Sequence, residues 1–362
     1  MSSSEVLIVG SNNKPTGGIP RYIPEQLRHL PEDVEGRVYD IGAADGAGAS
    51  WFVTALCLAL ADALAFPFQR RPDVVHVHTS QRLSFYRASA YVLFARYVWR
   101  VPVLLHIHGS SFDEFVATES VPVRTLQRLV YDASSEIVVL SEYWKRQLEP
   151  HADREKIIVL PNAVNPADYE PRYDAEPPHL VFVSNLIERK GVLELIDALE
   201  TVLDDGPEIR VSIAGKGPLS PAVERLADRH DSVTSLGYVS EDRKRELLEE
   251  GSIYVLPAHA EGLPIAILEA MAGGNAIVST TVGSIPEVIG DENGRLLSPG
   301  DERALARRLE ELAKDPETVR AMGRRNRRFV EERYCWDVVV TRLVDRYERL
   351  ADPGPDGQTT RV

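Results

Sequence analysis

The sequence has few cysteines and no long uninterrupted apolar run. Its two cysteines, Cys57 and Cys335, lie far apart, which excludes a disulfide framework and a cysteine zinc site and fits a reducing compartment. No stretch reaches the roughly 18 uncharged apolar residues that a membrane-spanning helix needs. The longest apolar stretch, residues 51–68, contains Asp62 and Pro67, and we expect it to form a buried helix. The opening residues lack the basic region and apolar core of a secretion signal, so we expect a cytoplasmic protein.

Positive charge is also in short supply. The 362 residues include 41 Lys and Arg against 55 Asp and Glu, which gives a formal net charge of −14. This balance argues against general nucleic-acid affinity, so we expect no nucleic-acid partner. Most of the basic residues are arginine, and an acidic, lysine-poor surface fits a halophilic protein from a high-salt cytoplasm. A GC-rich genome would produce a similar composition, and both explanations stay open.

These two explanations differ in the effect of salt on stability. If the surface is adapted to high salt, raising KCl from about 0.2 M to about 2 M should raise the melting temperature. The physical reason is that the Debye length falls from about 7 Å to about 2 Å, which screens the repulsion between acidic groups. Thermal unfolding followed by circular dichroism measures the effect. A melting temperature that stays flat or falls would favour the genome-composition explanation.

Residues 256–275 carry the most informative pattern in the chain. The apolar run at 252–256 predicts a buried parallel strand. The chain then turns through small residues to Glu261, and Pro264 stands where we expect the first residue of a helix that ends at Ala272. The pattern therefore predicts a strand, a short loop and a helix, with a carboxylate beside the free N–H groups of the helix N-terminus.

This arrangement suits one chemical class of ligand. A helix N-terminus attracts anions, above all phosphate, and Gly262 lets a ligand approach the backbone closely. A carboxylate next to a phosphate must serve a neutral polar group, so Glu261 fits sugar hydroxyls. Glu269 is expected two turns along the helix, where it would reach a second polar group. A ligand with hydroxyls on both sides of a diphosphate is a nucleotide sugar.

The same residues resemble the donor motif of the retaining GT-B glycosyltransferases of family 4. The resemblance lies in two carboxylates eight positions apart, Glu261 and Glu269, with Gly262, Leu263 and Pro264 after the first and Glu-Ala-Met-Ala at the second. Two acidic residues at this spacing alone also occur on ordinary solvated helices. The resemblance implies an α/β fold of the GT-B type, with two Rossmann-like parallel-sheet domains that face each other across a cleft.

The first half of the chain carries two weaker signals. Gly17 and Gly18 lie between a predicted strand and helix and match the glycine loop of this family, although glycine in a loop is usually only a turn. The chain has no Gly-x-Gly-x-x-Gly, which counts against a dinucleotide oxidoreductase.

Four histidines follow two predicted strands in His-x-His pairs. Each pair places both rings on one face of its strand, which raises the question of a metal site. No carboxylate or cysteine clusters with them in sequence, so we expect no metal. The resemblance assigns His108, at the end of its strand, to the donor sugar. His76, His78 and His106 are expected to be structural, unless one of them meets the acceptor.

The second half of the chain contains further positions that the resemblance assigns to the donor. Lys190 matches the family lysine, Gly215 lies in a glycine turn after a predicted strand, and Val239 ends a strand predicted over 233–239. Ser184 and Asn185 stand where the family has Gly-Arg, so the arginine that clamps the diphosphate is missing. A lysine carries its charge at one point and cannot make the paired hydrogen bonds to a phosphate that the planar group of arginine makes. The expected catalytic and donor-binding residues are His108, Glu261, Gly17, Gly18, Asn185, Lys190, Gly215, Val239, Gly262, Leu263, Pro264 and Glu269.

The alternation of strands and helices predicts two domains. We place the first at residues 1–170 and the donor-binding second at 171–335, with a linker over 165–178. A helix at about 336–352 is expected to pack back on the first domain, and the tail at 353–362 is expected to be disordered.

The resemblance implies that the protein transfers a sugar from a nucleotide sugar to a hydroxyl of a glycan or lipid-linked acceptor, without metal or cofactor. A basic turn around Arg124 and Arg128 suits either the inner membrane face or a solvated helix. Two rival functions stay open. Sugar-nucleotide epimerases share the architecture and need no acceptor. A non-catalytic nucleotide-sugar binder would fit the loss of the arginine at position 185.

Overall fold

The computed structural model describes residues 4–11, 18–41, 49–109 and 112–352. The chain divides into two compact units. The first is formed by the chain up to Pro161 and by the segment from Trp336 onward, and the second is Asn162–Cys335. Each unit is built on one six-stranded parallel sheet flanked by helices, which confirms the predicted fold class.

The sheet of the first unit has the strand order β2-β1-β3-β4-β5-β6, and every neighbouring pair is parallel. Its strands are β1 (Ser4–Gly10), β2 (Val34–Asp40), β3 (Val74–Thr79), β4 (Val103–Ile107), β5 (Glu136–Val139) and β6 (Ile157–Val159). Its helices are α1 (Gly18–His29), α2 (Ala49–Ala65), α3 (Leu83–Phe94), α4 (Phe112–Val116), α5 (Val121–Ala133), α6 (Glu142–Leu148) and α14 (Trp336–Ala351). The central strands are apolar on both faces because helices cover both sides of a parallel sheet.

The sheet of the second unit has the order β12-β11-β10-β7-β8-β9 and is also parallel throughout. Its strands are β7 (His179–Val183), β8 (Arg210–Ala214), β9 (Val233–Gly237), β10 (Ile253–Leu256), β11 (Ala276–Thr280) and β12 (Gly294–Leu297). Its helices are α7 (Val192–Asp205), α8 (Ser220–Arg229), α9 (Glu241–Glu250), α10 (Ile265–Ala272), α11 (Ile285–Val288), α12 (Glu302–Ala313) and α13 (Pro316–Arg333).

The boundary between the units lies earlier than the sequence predicted. It follows Pro161 rather than residue 170, and residues 165–178 are not a free linker. The Glu170 amide donates to Glu249 Oε1 at 3.0 Å, and the Arg172 amide donates to the Glu249 carbonyl at 3.0 Å. These bonds tie the segment to the second unit. Its proline-rich composition gave no sign of them, because the partners are distant in sequence.

The last helix, α14, belongs to the first unit. Gln26 Nε2 of α1 donates to Tyr347 Oη of α14 at 2.7 Å, and Arg342 Nη2 donates to the Val159 carbonyl of β6 at 2.7 Å. Tyr347 is fully buried. The chain therefore returns from the second unit to complete the first one. The predicted tail at 353–362 lies outside the described residues.

The apolar stretch at 51–68 forms a helix, but the prediction that it is buried was wrong. Helix α2 is followed by a short 3₁₀ turn, Phe66–Phe68. Leu64 and Phe68 are 72% and 88% exposed, whereas Phe66 is buried. A single helix beside a sheet buries only one face, so an apolar composition does not by itself cover the other. None of the helices in the described part of the chain combines the length and the hydropathy that a bilayer-spanning segment requires.

Candidate active site

The predicted donor residues of the second unit gather at one edge of its sheet. Lys190 follows β7, Gly215 follows β8, Val239 follows β9 and Glu261 follows β10. These four strands are neighbours in the order β10-β7-β8-β9, and the carboxyl ends of parallel strands share one edge. Ligands of open α/β sheets bind at such an edge. The topology therefore brings together residues as distant as Lys190 and Glu261, which are 71 positions apart.

Lys190 and Glu261 form an ion pair at this edge. Lys190 Nζ donates to Glu261 Oε1, and the two side chains are only 14% and 7% exposed. The adjacent Gly191 has φ +72°, and a Cβ there would stand 1.9 Å from the Pro257 carbonyl oxygen. Glycine therefore lets the loop after β7 pack directly against the loop after β10. The two predicted donor residues neutralise each other in the structure, which the sequence did not reveal.

Arg189 strengthens the same junction. Its Nη1 donates to the Ala260 carbonyl at 2.9 Å, and its own carbonyl accepts from the His259 amide at 2.9 Å. The side chain is therefore engaged with the loop that carries Glu261. This geometry ties that loop to the loop after β7.

The loop between Glu261 and α10 is held by its carbonyl groups. The Gly262 carbonyl accepts from the Ser284 amide at 3.1 Å, and the Leu263 carbonyl accepts from Asn162 Nδ2 at 2.6 Å. Pro264 is the N-cap residue rather than the first helical residue, which is Ile265. The prediction missed this by one position because proline fits either place. With the carbonyls turned into the protein, the loop is rigidly placed before the helix begins.

Glu269 lies closer to the start of α10 than the sequence predicted. It is the fifth residue of the helix, about 6 Å by helical rise from Ile265, and not two turns along it. Its Oε1 accepts from Lys244 Nζ at 2.6 Å, and Lys244 Nζ also lies 2.6 Å from Glu241 Oε2. Lys244 is 6% exposed, which is unusual for lysine outside a binding site or ion pair. Sequence reasoning missed Lys244, because a lysine three residues after a glutamate looks like an ordinary surface helix pair.

A buried tyrosine lies near the two carboxylates. Tyr254 of β10 is fully buried, and its hydroxyl donates to the Val183 carbonyl at 3.0 Å. Burial raises the pKa of Tyr254 well above its usual value, and the negative charges of Glu269 and Glu261 raise it further. The hydroxyl therefore stays protonated at neutral pH and keeps its hydrogen bond to the backbone of β7.

Gly215 and Val239 complete the far side of this edge. Gly215 has φ +147°, and a Cβ there would stand 1.8 Å from the Ser184 carbonyl oxygen. Its amide donates to the Gly237 carbonyl at 2.7 Å, which is where β9 ends. The strand predicted to reach Val239 therefore stops two residues earlier, at a glycine with φ +60°. Asn185 is exposed at the same edge.

In the first unit, His108 follows the carboxyl end of β4, as the sequence placed it. His78 Nδ1 of the neighbouring strand lies 2.9 Å from His108 Nε2. Gly18 begins α1 and is exposed, whereas Gly17 lies outside the described residues. His108 is therefore held by a second histidine, and its orientation depends on that contact.

The other three histidines form a buried cluster around β3 and β4. His76 Nδ1 lies 2.6 Å from Tyr347 Oη, and His76 Nε2 lies 3.3 Å from His106 Nδ1. Burial lowers the pKa of His76 to about 3, aided by the nearby His108, and it lowers the pKa values of His78 and His106 well below the usual range. All three rings are therefore neutral at pH 7. The hydrogen bonds of His76 support the structural role that we predicted for it.

The same cluster is the place in the described residues where a metal ion would find histidine ligands. One ring nitrogen each from His76, His78 and His106 lies within 4.8 Å of the others. Neutral imidazole is the form that binds metal. However, both nitrogens of His76 already have protein partners, so a metal would have to displace a hydrogen bond.

Comparison with known proteins gives the family of the chain. Residues 5–163 match the family model described as glycosyl transferase 4-like domain, and residues 177–315 match the one described as glycosyl transferases group 1. The chain belongs to the GT-B glycosyltransferases of the family 4 type. The first match includes His108 and the strand before it, and the second includes Lys190 and the loop with Glu261.

Three proteins illustrate the likeness. A phosphatidylinositol N-acetylglucosaminyltransferase subunit from Arabidopsis thaliana is 32% identical over 200 residues, which is 54% of this chain and 44% of the relative. Sucrose-phosphate synthase from Thermosynechococcus elongatus has a TM-score of 0.78 at 17% identity, covering 96% of this chain and 99% of that one. Anabaena HepE in complex with UDP-glucose has a TM-score of 0.71 at 16% identity, covering 95% and 99%. The chain matches about half the length of the first curated relatives, and the structural likeness shows the fold.

Proposed function

We propose that this glycosyltransferase moves a sugar from a nucleotide-sugar donor to a hydroxyl of a glycan or lipid-linked acceptor, with retention of anomeric configuration. The observation that carries the proposal is the pair of lysine–carboxylate contacts, Lys190 with Glu261 and Lys244 with Glu269, on the two sides of the start of α10. A neighbour in fold was solved with UDP-glucose, and a relative has phosphatidylinositol in its name. Both names support the proposed classes of donor and acceptor.

The ion pair of Lys190 and Glu261 supplies the two groups that a sugar diphosphate needs. On donor binding, the Lys190 ammonium turns to the diphosphate, and the Glu261 carboxylate accepts hydroxyls of the transferred sugar. Lys190 exchanges a carboxylate for the diphosphate and so keeps a charged partner, whereas Glu261 exchanges an ammonium for neutral hydroxyls that hydrogen-bond to it in the same nearly buried place. As the sugar leaves, negative charge grows on the diphosphate, and Lys190 and the N-terminus of α10 stabilise it.

Glu269 holds the ribose of the donor in this proposal. Its second carboxylate oxygen accepts ribose hydroxyls while Lys244 keeps the first one in place. Lys244 is itself fixed by Glu241. The nucleoside therefore lies on the side of α9, and the transferred sugar lies on the side of Glu261.

Retention follows from attack on the face that the leaving group vacates. The bond from the anomeric carbon to the diphosphate oxygen breaks, and the acceptor oxygen forms its bond on the same face. The acceptor proton passes to the departing phosphate oxygen, so no covalent enzyme intermediate is needed. We assign His108, which is held by His78, to the transferred sugar, as the family resemblance implies.

The proposed function is tested by incubating the purified protein with a panel of nucleotide sugars, with and without glycan and lipid-linked acceptors. We expect one donor to be consumed only when an acceptor is present, and proton NMR of the product to show the anomeric configuration of the donor. Consumption without acceptor would indicate an epimerase. Tight donor binding without turnover would indicate a nucleotide-sugar binder.

Metal dependence gives a separate prediction. We expect transfer to persist in excess EDTA, because Lys190 and α10 neutralise the diphosphate in place of a cation. The measurement is the initial rate before and after chelation and dialysis. A reversible loss that one divalent ion restores would contradict the prediction and would promote the cluster of His76, His78 and His106 to a metal site.

A further inference from the structure

Helix α2 presents an exposed apolar face that the proposed function does not use. We define the α2 surface as Leu58, Leu60 and Leu64 of this helix together with Phe68 of the following turn. Their exposed fractions are 39%, 55%, 72% and 88%. Leu64 and Phe68 are four positions apart, as are Leu60 and Leu64, so these side chains follow one another along one side. Contiguous apolar patches on soluble monomers mark sites of contact with a partner or a membrane.

The charge of this helix faces the protein and leaves its outer side uncharged. Asp62 is the one charged residue in the sequence of α2. Its Oδ2 accepts from Arg87 Nη2 of α3 at 3.1 Å, and both side chains are largely covered. The Asp62 carbonyl also accepts from Tyr39 Oη at 2.6 Å. The helix is therefore anchored by its single polar side, and nothing in its sequence provides a charged outer face.

Basic residues flank the Phe68 end of the α2 surface. Arg70 and Arg71 follow Phe68 in the chain and are exposed. Arg96 and Arg100, also exposed, flank Tyr97 and Val98, which are 60% and 62% exposed.

Ring contacts place these two segments side by side. The ring of Phe66 lies 4.7 Å from that of Trp99 and 5.8 Å from that of Phe94. Arg70 is partly compensated by Glu5, whose Oε2 lies 3.2 Å from Arg70 Nη2, although the Arg70 side chain remains 73% exposed. A cluster of arginines and exposed apolar groups thus forms in a chain whose net charge is −14.

We propose that the α2 surface docks on an anionic lipid bilayer. The leucines and Phe68 enter the boundary between headgroups and acyl chains, and the flanking arginines contact lipid phosphates. An anionic bilayer therefore offers a partner to the apolar side chains and to the arginines, as it does for other amphipathic helices that lie in the membrane–water interface. A second copy of the chain would offer the same apolar face and the same arginines, so it would leave the arginines without an anionic partner in the patch.

The position of α2 in the first unit separates the Phe68 end of this surface from the candidate site. Phe68, Arg70 and Arg71 precede β3, and Arg70 pairs with Glu5 at the start of β1, so this end lies at the sheet edge where the strands begin. His108 follows β4 at the opposite edge, where the strands end. The proposal goes beyond the proposed function and does not depend on it, because vesicle binding is measured without a donor.

The test is co-sedimentation of the full chain with vesicles of phosphatidylcholine, alone or mixed with phosphatidylglycerol, in the lowest salt at which the protein stays folded. We expect binding to the anionic vesicles and much weaker binding to the neutral ones. The double variant Leu64→Glu/Phe68→Glu should bind about tenfold less tightly or worse, because it removes two groups from the interface and adds two negative charges. Both positions are exposed, and circular dichroism checks that the variant is folded.

Helix α5 provides the matched control, because it carries the other basic turn that the sequence singled out. Val121 and Leu129 are 62% and 47% exposed and lie on the helix that carries Arg124 and Arg128. The variant Val121→Glu/Leu129→Glu adds the same charge to the same unit and should bind vesicles as the wild type does. If it loses binding while Leu64→Glu/Phe68→Glu retains it, the docking surface is α5 and the proposal is wrong.

A fluorescent label gives a second readout that does not depend on affinity. Cys57 of α2 is exposed, so an environment-sensitive dye can be attached to it in a Cys335→Ser background. We expect a blue shift of its emission on addition of anionic vesicles. An unchanged spectrum together with no sedimentation of the wild type would overturn the proposal. So would a dimer in analytical ultracentrifugation that Leu64→Glu/Phe68→Glu dissolves, if vesicles fail to bind.

Discussion

Replacement of Lys190 by alanine should lower kcat/KM for transfer by roughly a hundredfold or more. This loss corresponds to about 3 kcal/mol of transition-state stabilisation, the range measured when one donor to a developing negative charge is removed. The lysine is the charged group that the loop after β7 directs into the site, and the arginine expected at position 185 is absent. Because Asn185 stands in its place, no arginine there shares the charge of the diphosphate with Lys190. The loss of kcat/KM should therefore lie at the upper end of this range.

The same variant removes the partner of Glu261, and the experiment must separate that effect from catalysis. Glu261 is 6% exposed, so an unpaired carboxylate there costs stability. Circular dichroism and thermal unfolding should show a folded protein with a lowered melting temperature. The matched control is Lys314→Ala, which removes the same charge and an exposed ion pair with Glu310 on α12. Lys314→Ala should keep both the rate and the fold.

Lys190→Arg adds a finer measurement. An arginine keeps the charge and offers a fork to the diphosphate, but its planar group is larger than the ammonium that fits against Glu261. We expect partial activity. If Lys190→Ala is folded and transfers sugar at the normal rate, Lys190 has no part in the site, and the proposed place of the diphosphate is wrong.

The sequence predicted the elements around Glu261 well where its signals were local. The strand, loop and helix around Glu261 are encoded within residues 252–275, and the residues that follow each strand end could be assigned to one sheet edge by the rule for parallel sheets. The fold class followed from the alternation of strands and helices. These features depend on near neighbours or on a topological rule, and they need no knowledge of side-chain contacts.

The features that the sequence missed depend on contacts between distant segments. Lys244 is separated from Glu269 by 25 positions, and Asn162 from Leu263 by 101. Nothing in the composition of residues 165–178 distinguishes a linker from a segment bonded to a domain. The exposed face of α2 was missed for a related reason. Apolar composition measures the preference of side chains for burial, and it does not say whether the fold supplies a surface to cover them.

The observed start of α10 differs from the predicted one, and this changes the expected positions of the two carboxylates. Because the helix begins at Ile265, Glu269 lies one turn from its start, and the two lysines reach the carboxylates from different strand ends. Lys190 comes from the loop after β7, and Lys244 comes from α9, which follows β9. Each carboxylate therefore has its own cation, and the two can be altered separately.

Replacement of Glu261 and Glu269, one at a time, should have separate effects on the two parts of the donor, the sugar and the nucleoside diphosphate. Glu261→Ala should abolish transfer and still bind the free nucleoside diphosphate, with equal or greater affinity than the wild type, because it frees Lys190 from its ion pair. Glu269→Ala should weaken binding of the nucleoside diphosphate by roughly 1.5–3 kcal/mol, the usual value of a hydrogen bond to a charged group. Isothermal calorimetry with the nucleoside diphosphate alone measures both affinities.

Two controls make this comparison decisive. Glu310→Ala removes a carboxylate from a pair on the surface helix α12 and should leave both binding and transfer unchanged. Glu269→Gln keeps the shape of the side chain and removes its charge, so a loss of affinity in this variant identifies the charged hydrogen bond as the cause. The opposite pattern, in which Glu261→Ala loses the diphosphate while Glu269→Ala keeps it, would reverse the assignment. The donor would then lie the other way round at this edge, with its nucleoside beside Lys190 and its sugar beside Lys244.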